Sequence, residues 1–371
     1  MKKGIEMVHS TRVFLVWRGL QAACLWAALA TAQAQSGAWQ PASAMAAARS
    51  VHTAALLTDG RVLVVGGRSG RDLASAELYD PAGNRWATAA DMAAARAQHA
   101  SVVLANGRVL VAGGSGPAGD LASAEVYDAA ANAWAVVGAM AQRRARHTAT
   151  LLANGNVLVA GGSGAAGDLA SAEIYDPAAN TWRTAANLAV PRASHTATLL
   201  PDGRVLVVGG KGAAGDLASA EVYDPAANNW RPAGTMAKRR ARHAAAVLPD
   251  GRVLVAGGSG AAGDLASAEI YNPATNSWRT VATMAARRAF HSASGLPDGR
   301  VLVVGGKGAG GDLASAELYD PAANTWRAAG RLATPRQNHA ATPLANGRVL
   351  VTGGLGGRGD LASAEMFSPG R

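Results

Sequence analysis

The residues with the most chemical potential come in sevens. Arg-x-x-His recurs as Arg49/His52, Arg96/His99, Arg144/His147, Arg192/His195, Arg240/His243, Arg288/His291 and Arg336/His339. Seven imidazoles gathered at one opening could hold a metal or relay protons. The same residues could instead be architecture, each satisfied by a neighbouring loop or carboxylate, as buried polar groups normally are. Zinc takes four ligands in one fixed geometry, which a sevenfold set does not match. A second repeated stretch, Asp-Leu-Ala-Ser-Ala-Glu, runs from Asp72…Glu77 to Asp360…Glu365. Seven carboxylates could serve acid/base work or cations, but a glycosidase pair needs one particular separation. The alternative is that these acids pair with the repeated arginines, whose forked guanidinium suits carboxylates.

The near-identical units act as controls for one another. A residue present in every unit most simply serves the unit. In the third unit this makes Arg144, His147, Gly161, Gly162, Glu173, Tyr175 and Trp182 structural. By this reading the chain has no catalytic set, no metal site and no cofactor. What differs between units is free to meet a ligand. Arg143 and Arg146 flank Arg144; Lys238, Arg239 and Arg242 surround Arg240; Arg287 joins Arg288. Lys211 and Lys307 follow double glycines where other units carry serine, arginine or leucine. If the inner strand already runs there, alternation would put Arg144 and Arg146 on one side and His147 on the other. An arginine arc suits carboxylates, sulfates or phosphates; the alternative is a solvated surface that aids solubility.

Other motifs carry less. The loop "GGSGAAGDLA" is glycine-rich, but a phosphate loop leads into a helix, and here a strand-like run follows. Neither Gly-x-Ser-x-Gly nor His-Glu-x-x-His occurs. The chain has 371 residues and a formal charge of +10, which permits anionic partners without choosing among them. Its one cysteine is Cys24, so the rest of the chain offers no thiolate ligand or disulfide. Residues 1–34 read as an export signal: Lys2, Lys3, Arg12 and Arg18, then an apolar run, then Ala32-Gln33-Ala34 as a small-x-small cleavage site. A lipoprotein signal cut before Cys24 is the weaker reading. The mature protein, 35–371, is expected to be periplasmic or secreted, without a membrane span.

The elements that must position these residues follow from the period. The histidines of the Arg-x-x-His repeat are spaced by 47 residues once and by 48 thereafter, a period that points to propeller blades. Each unit has an inner strand such as "RHTATLL", an Asp-Gly or Asn-Gly turn, an unbroken apolar strand such as "RVLVVGG", a third strand "LASAEVYDP", and a fourth carrying tryptophan. Four antiparallel strands per unit make a blade. The last unit stops after its third strand, and an orphan tryptophan strand around Trp39 stands at the other end. The expectation is an all-β, seven-bladed propeller in which the Trp39 strand completes the C-terminal blade, because closure hides strand edges.

The double glycines, the tyrosines from Tyr79 to Tyr319 and the tryptophans from Trp86 to Trp326 resemble the kelch repeat, in its bacterial, galactose-oxidase-like branch. Phe367 and Ala129 are small departures. The resemblance implies an interaction platform, with inter-blade connections and post-glycine loops on one face. Galactose oxidase needs copper and a tyrosine–cysteine crosslink, which the absence of cysteine after Cys24 excludes. The expected function is binding of an anionic protein or carbohydrate by a monomer. An enzyme acting on a carboxylated sugar, like a sialate epimerase or a lyase, is the alternative, and a purely adhesive surface protein a third. Nucleic acid is not expected, since aromatic residues do not interleave with the arginines apart from Phe290.

Overall fold

The computed structural model describes residues 37–370; the segment 1–34, with Cys24, lies outside them. Among the described residues every regular element is a strand. Seven four-stranded antiparallel sheets form, one per repeat, each accompanied by a two-stranded hairpin. In the third blade the strands are Thr148–Leu151, Val157–Ala160, Ala172–Asp176 and Thr181–Ala185, in that order from inside out.

The order follows from the residues. Val157–Ala160 is buried at every position, as a strand covered on both faces must be. The Asn154-Gly155 pair precedes it, with Gly155 at a φ of 84°, the left-handed backbone a tight hairpin demands. Gly161 ends it because a Cβ there would lie 2.5 Å from the Arg192 carbonyl oxygen of the next connection. The glycine-rich loop that follows is the small hairpin, Ser163–Gly164 against Gly167–Asp168.

Blades pack face to face. Leu104, Leu110 and Met140 of the second blade and its connection meet Val157, Val159 and Tyr175 of the third. At the outer edge the Tyr175 and Trp182 rings lie 5.0 Å apart. The Tyr175 hydroxyl bonds to Asn180 Oδ1 at 3.0 Å, and Trp182 Nε1 donates to the Gly138 carbonyl at 2.6 Å. The aromatic stripe therefore staples each outer strand to the preceding connection. The strand Ala38–Ala42 pairs with Ala364–Ser368, Trp39 opposite Phe367. The last and first blades also meet through the Gly354 N–H donating to the Arg49 carbonyl at 2.8 Å.

Candidate functional site

The repeated arginine is a structural part. Arg144 is fully buried. It donates to the Gly161 carbonyl at 2.7 Å, the Ser171 carbonyl at 3.0 Å and Glu173 Oε1 at 2.7 Å. Glu173 also accepts the N–H groups of Ala141 and Gln142, at 2.7 and 3.2 Å. One ion pair thus ties the incoming connection to the body of its blade, and all seven blades repeat it. Removing one partner of such a buried pair costs about 3–5 kcal/mol. The partner is always the glutamate. The expectation that both acids of Asp-Leu-Ala-Ser-Ala-Glu pair with the repeated arginine is corrected here: the aspartates sit partly buried on the small hairpins, where Asp72 pairs with Arg68 instead.

A second correction concerns side. The inner strand begins at Thr148, so strand alternation does not operate from Arg144 to His147. Arg146 instead has a φ of 56°. That left-handed residue turns the chain, and Arg146 and His147 line the same cavity while Arg144 goes into the blade.

This cavity is the mouth of the central channel, a bowl of about 580 Å³. The seven repeated histidines line it together with the residue before each: Val51, Gln98, Arg146, Ser194, Arg242, Phe290 and Asn338. Each of those seven has φ between 48° and 56°. Their backbones form a closed collar. Gln98 donates its N–H to the Val51 carbonyl at 3.0 Å, Arg146 to Gln98 at 3.0 Å, and Ser194 to Arg146 at 3.0 Å. Arg242 donates to Ser194 at 3.1 Å, Phe290 to Arg242 at 3.0 Å, Asn338 to Phe290 at 3.0 Å, and Val51 to Asn338 at 3.0 Å. Main-chain bonds hold the position, so the side chain is free to vary.

The histidines below the collar are neutral. Burial, reinforced by the arginine three residues earlier, lowers His99, His147, His195 and His339 to about 3, and pushes His52, His243 and His291 well below the ordinary value. Most take a hydroxyl partner on the preceding blade's inner strand: His99 Nε2 with Thr53 at 2.9 Å, His195 with Thr148 at 3.0 Å, His243 with Thr196 at 2.9 Å, His339 with Ser292 at 2.8 Å. Ala100 and Ala244 occupy the corresponding positions before His147 and His291, whose ring nitrogens have no hydroxyl partner. Among the described residues no three His, Cys, Asp or Glu side chains come together to hold a metal.

The predicted basic arc divides in two. Arg146 and Arg242 belong to the mouth, separated in the collar by Ser194. Arg146 is exposed and in no salt bridge among the described residues. Arg242 lies 5.1 Å over the Phe290 ring, and its Nη1 donates to Ser259 Oγ at 3.2 Å. Burial raises the nearby Asp120 and Asp216 carboxyls, and the charges of Arg146 on the first and of Arg242 and Lys211 on the second oppose that rise. Lys211 and Lys307 are exposed beside the mouth, their backbones bridged to Ala193 and Ala289. Lys238, Arg239 and Arg287 line a separate outer hollow of about 450 Å³. Arg143 is exposed, with Nη1 donating to the Asp120 carbonyl at 3.2 Å. Sequence reasoning missed Val51, Gln98, Ser194, Phe290 and Asn338, although a variable residue before an unvarying histidine was the signal available.

No curated protein matches this chain. Among solved structures it is similar to a fungal alcohol oxidase of the AA5 family in complex with copper, with a TM-score of 0.75 and 21% identity over 90% of this chain and 76% of that one. It is also similar to the protein YjhT, with a TM-score of 0.61 and 17% identity over 77% of this chain and 98% of that one. At these identities the likeness is one of fold. The KLHDC2/KLHL20/DRC7 Kelch-repeats domain matches residues 51–235, 101–306 and 194–368, so that the chain, with its seven blades and repeated Arg–Glu frame, belongs to the kelch-repeat family.

Proposed function

We propose that this propeller is a binding module that takes an anionic group, carboxylate or sulfate, at the mouth of its central channel. The observation that carries this reading is the collar. Seven repeats keep histidine, arginine and glutamate unchanged, yet the residue facing the mouth is valine, glutamine, arginine, serine, arginine, phenylalanine and asparagine in turn. Four consecutive blades present Arg146, Ser194, Arg242 and Phe290. Two guanidinium groups and a hydroxyl suit an anion, and the phenylalanine provides an apolar wall beside it. Catalysis has less support, because imidazoles held well below the ordinary value are weak proton acceptors at neutral pH. Export by the segment 1–34 would place the bowl in the periplasm or outside the cell.

Calorimetric titration with galacturonate and with inorganic sulfate tests the proposal, with neutral galactose as control. Arg146→Ala combined with Arg242→Ala should weaken anion binding by at least about tenfold, since one charge-assisted hydrogen bond contributes about 1.5–3 kcal/mol. Equal binding of galactose, or anion binding untouched by the double substitution, would overturn it.

A further inference from the structure

We infer that the anionic ligand is a chain molecule, a sulfated or uronate-rich polysaccharide, that runs outward from the mouth along the fifth-blade connection into the outer hollow. This rests on the mouth binding an anion and goes beyond it. The two hollows share a wall. Arg242 at the mouth bonds to Ser259 Oγ, and the same hairpin continues through Gly260, Ala261 and Ala262 to form part of the outer hollow. The connection itself lies against that hairpin: Ala241 is bridged to Ser259, and the Arg239 carbonyl approaches the position of a Gly260 Cβ to 3.0 Å. Four residue steps separate Lys238 from Arg242, at most about 14 Å of extended chain. The sixth-blade connection contributes Arg287 from the other side.

Lys238, Arg239 and Arg287 are exposed and in no salt bridge among the described residues. Asp264 is the single carboxylate lining the outer hollow. The other units do not repeat this arrangement: the fourth has Val190 and Pro191, and the third has Arg143 with Gln142 before it. The lining also selects the class of ligand. Apart from the cations and Asp264 it consists of glycine, alanine, serine and Leu265. It lacks the aromatic or large apolar anchors that protein partners use and the stacking platforms of single-stranded nucleic acid. Charge and hydrogen bonding remain, which is how an acidic polysaccharide is held. Two linked anion sites bind a chain more tightly than either binds a single unit, through effective concentration.

The test uses the full chain, oligogalacturonates and sulfated oligosaccharides of increasing length, and a polyglutamate of matched charge. Affinity should climb by at least about tenfold once the ligand spans both hollows. The triple variant Lys238→Ala/Arg239→Ala/Arg287→Ala should remove that gain while binding galacturonate as before. Length-independent binding, or a gain that survives the triple substitution, would overturn the inference and leave the mouth site standing. Equal or tighter binding of polyglutamate would also overturn it. Failure of every anion, galacturonate included, would remove the mouth site and the inference together. Circular dichroism and unchanged thermal midpoints establish that the exposed substitutions leave the fold intact.

Discussion

Acidification should unfold this propeller through its histidines. Burial and the adjacent arginines hold the seven imidazoles well below the ordinary value of 6.5, four of them at about 3. In the unfolded chain they return to about 6.5. The folded values are depressed, so the unfolded state binds more protons and stability rises with pH. The contribution is complete above about pH 6.5 and is lost as the pH falls toward about 3. At pH 6.0 each unfolded imidazole is about three-quarters protonated and each folded one is neutral, so unfolding should take up about five protons. The corresponding slope is about 7 kcal/mol per pH unit, and between pH 7 and 5.5 about 9 kcal/mol is lost, most of an ordinary domain's stability. These figures depend little on the folded values, provided they stay well under 5. The turn aspartates are lowered from 3.8 and titrate beneath this window. Asp120 and Asp216 are raised and oppose the trend with two groups at most. Calorimetric unfolding at pH 6.0 in buffers of different ionisation enthalpy gives the proton number directly. Uptake of fewer than about two protons would refute the reasoning, because the imidazoles would then be solvated or paired in the folded state.

Three substitutions test the local arguments. Ala100→Thr should give His147 the hydroxyl that Thr148 gives His195 and raise stability by about 1 kcal/mol in denaturant titrations; an unchanged or lower midpoint would show that the site cannot take the hydroxyl. Val51 is a β-branched residue at a φ of 48°, so Val51→Gly should relieve about 1–2 kcal/mol of left-handed strain against a smaller entropic loss. Asn338→Gly, where asparagine already tolerates a φ of 53°, should gain less, and the reverse order of midpoints would count against strain at the collar.

Much of the architecture was legible in the chain. A period of 48 with turn glycines, an unbroken apolar strand and a terminal tryptophan at fixed offsets leaves few folds open, since each piece states its own strand, turn or packing face. Internal comparison also separated the frame from its additions: Arg144, Glu173, Tyr175 and Trp182 are buried or stapled as a shared part should be. The chemistry of the site was less legible, because it depends on contacts between residues from different blades and on one backbone angle. Nothing in "RRARH" announces that Arg146 adopts a positive φ and so shares a cavity with His147. Nor does a single repeat reveal that His99, His195, His243 and His339 answer to the preceding blade's inner strand and His52 to Thr352 on the strand beside it, while His147 and His291 are left without a hydroxyl partner.

The residues alone therefore determined a seven-bladed ring and the parts common to every blade, because local periodicity and turn stereochemistry act within a unit. Only the tertiary structure decided which charges meet. Closing the ring brings seven variable residues to one mouth and sends Arg146 and Arg242 there, while Lys238, Arg239 and Arg287 face a second hollow. That division is set by how neighbouring blades abut, a relation between units that no unit's sequence contains.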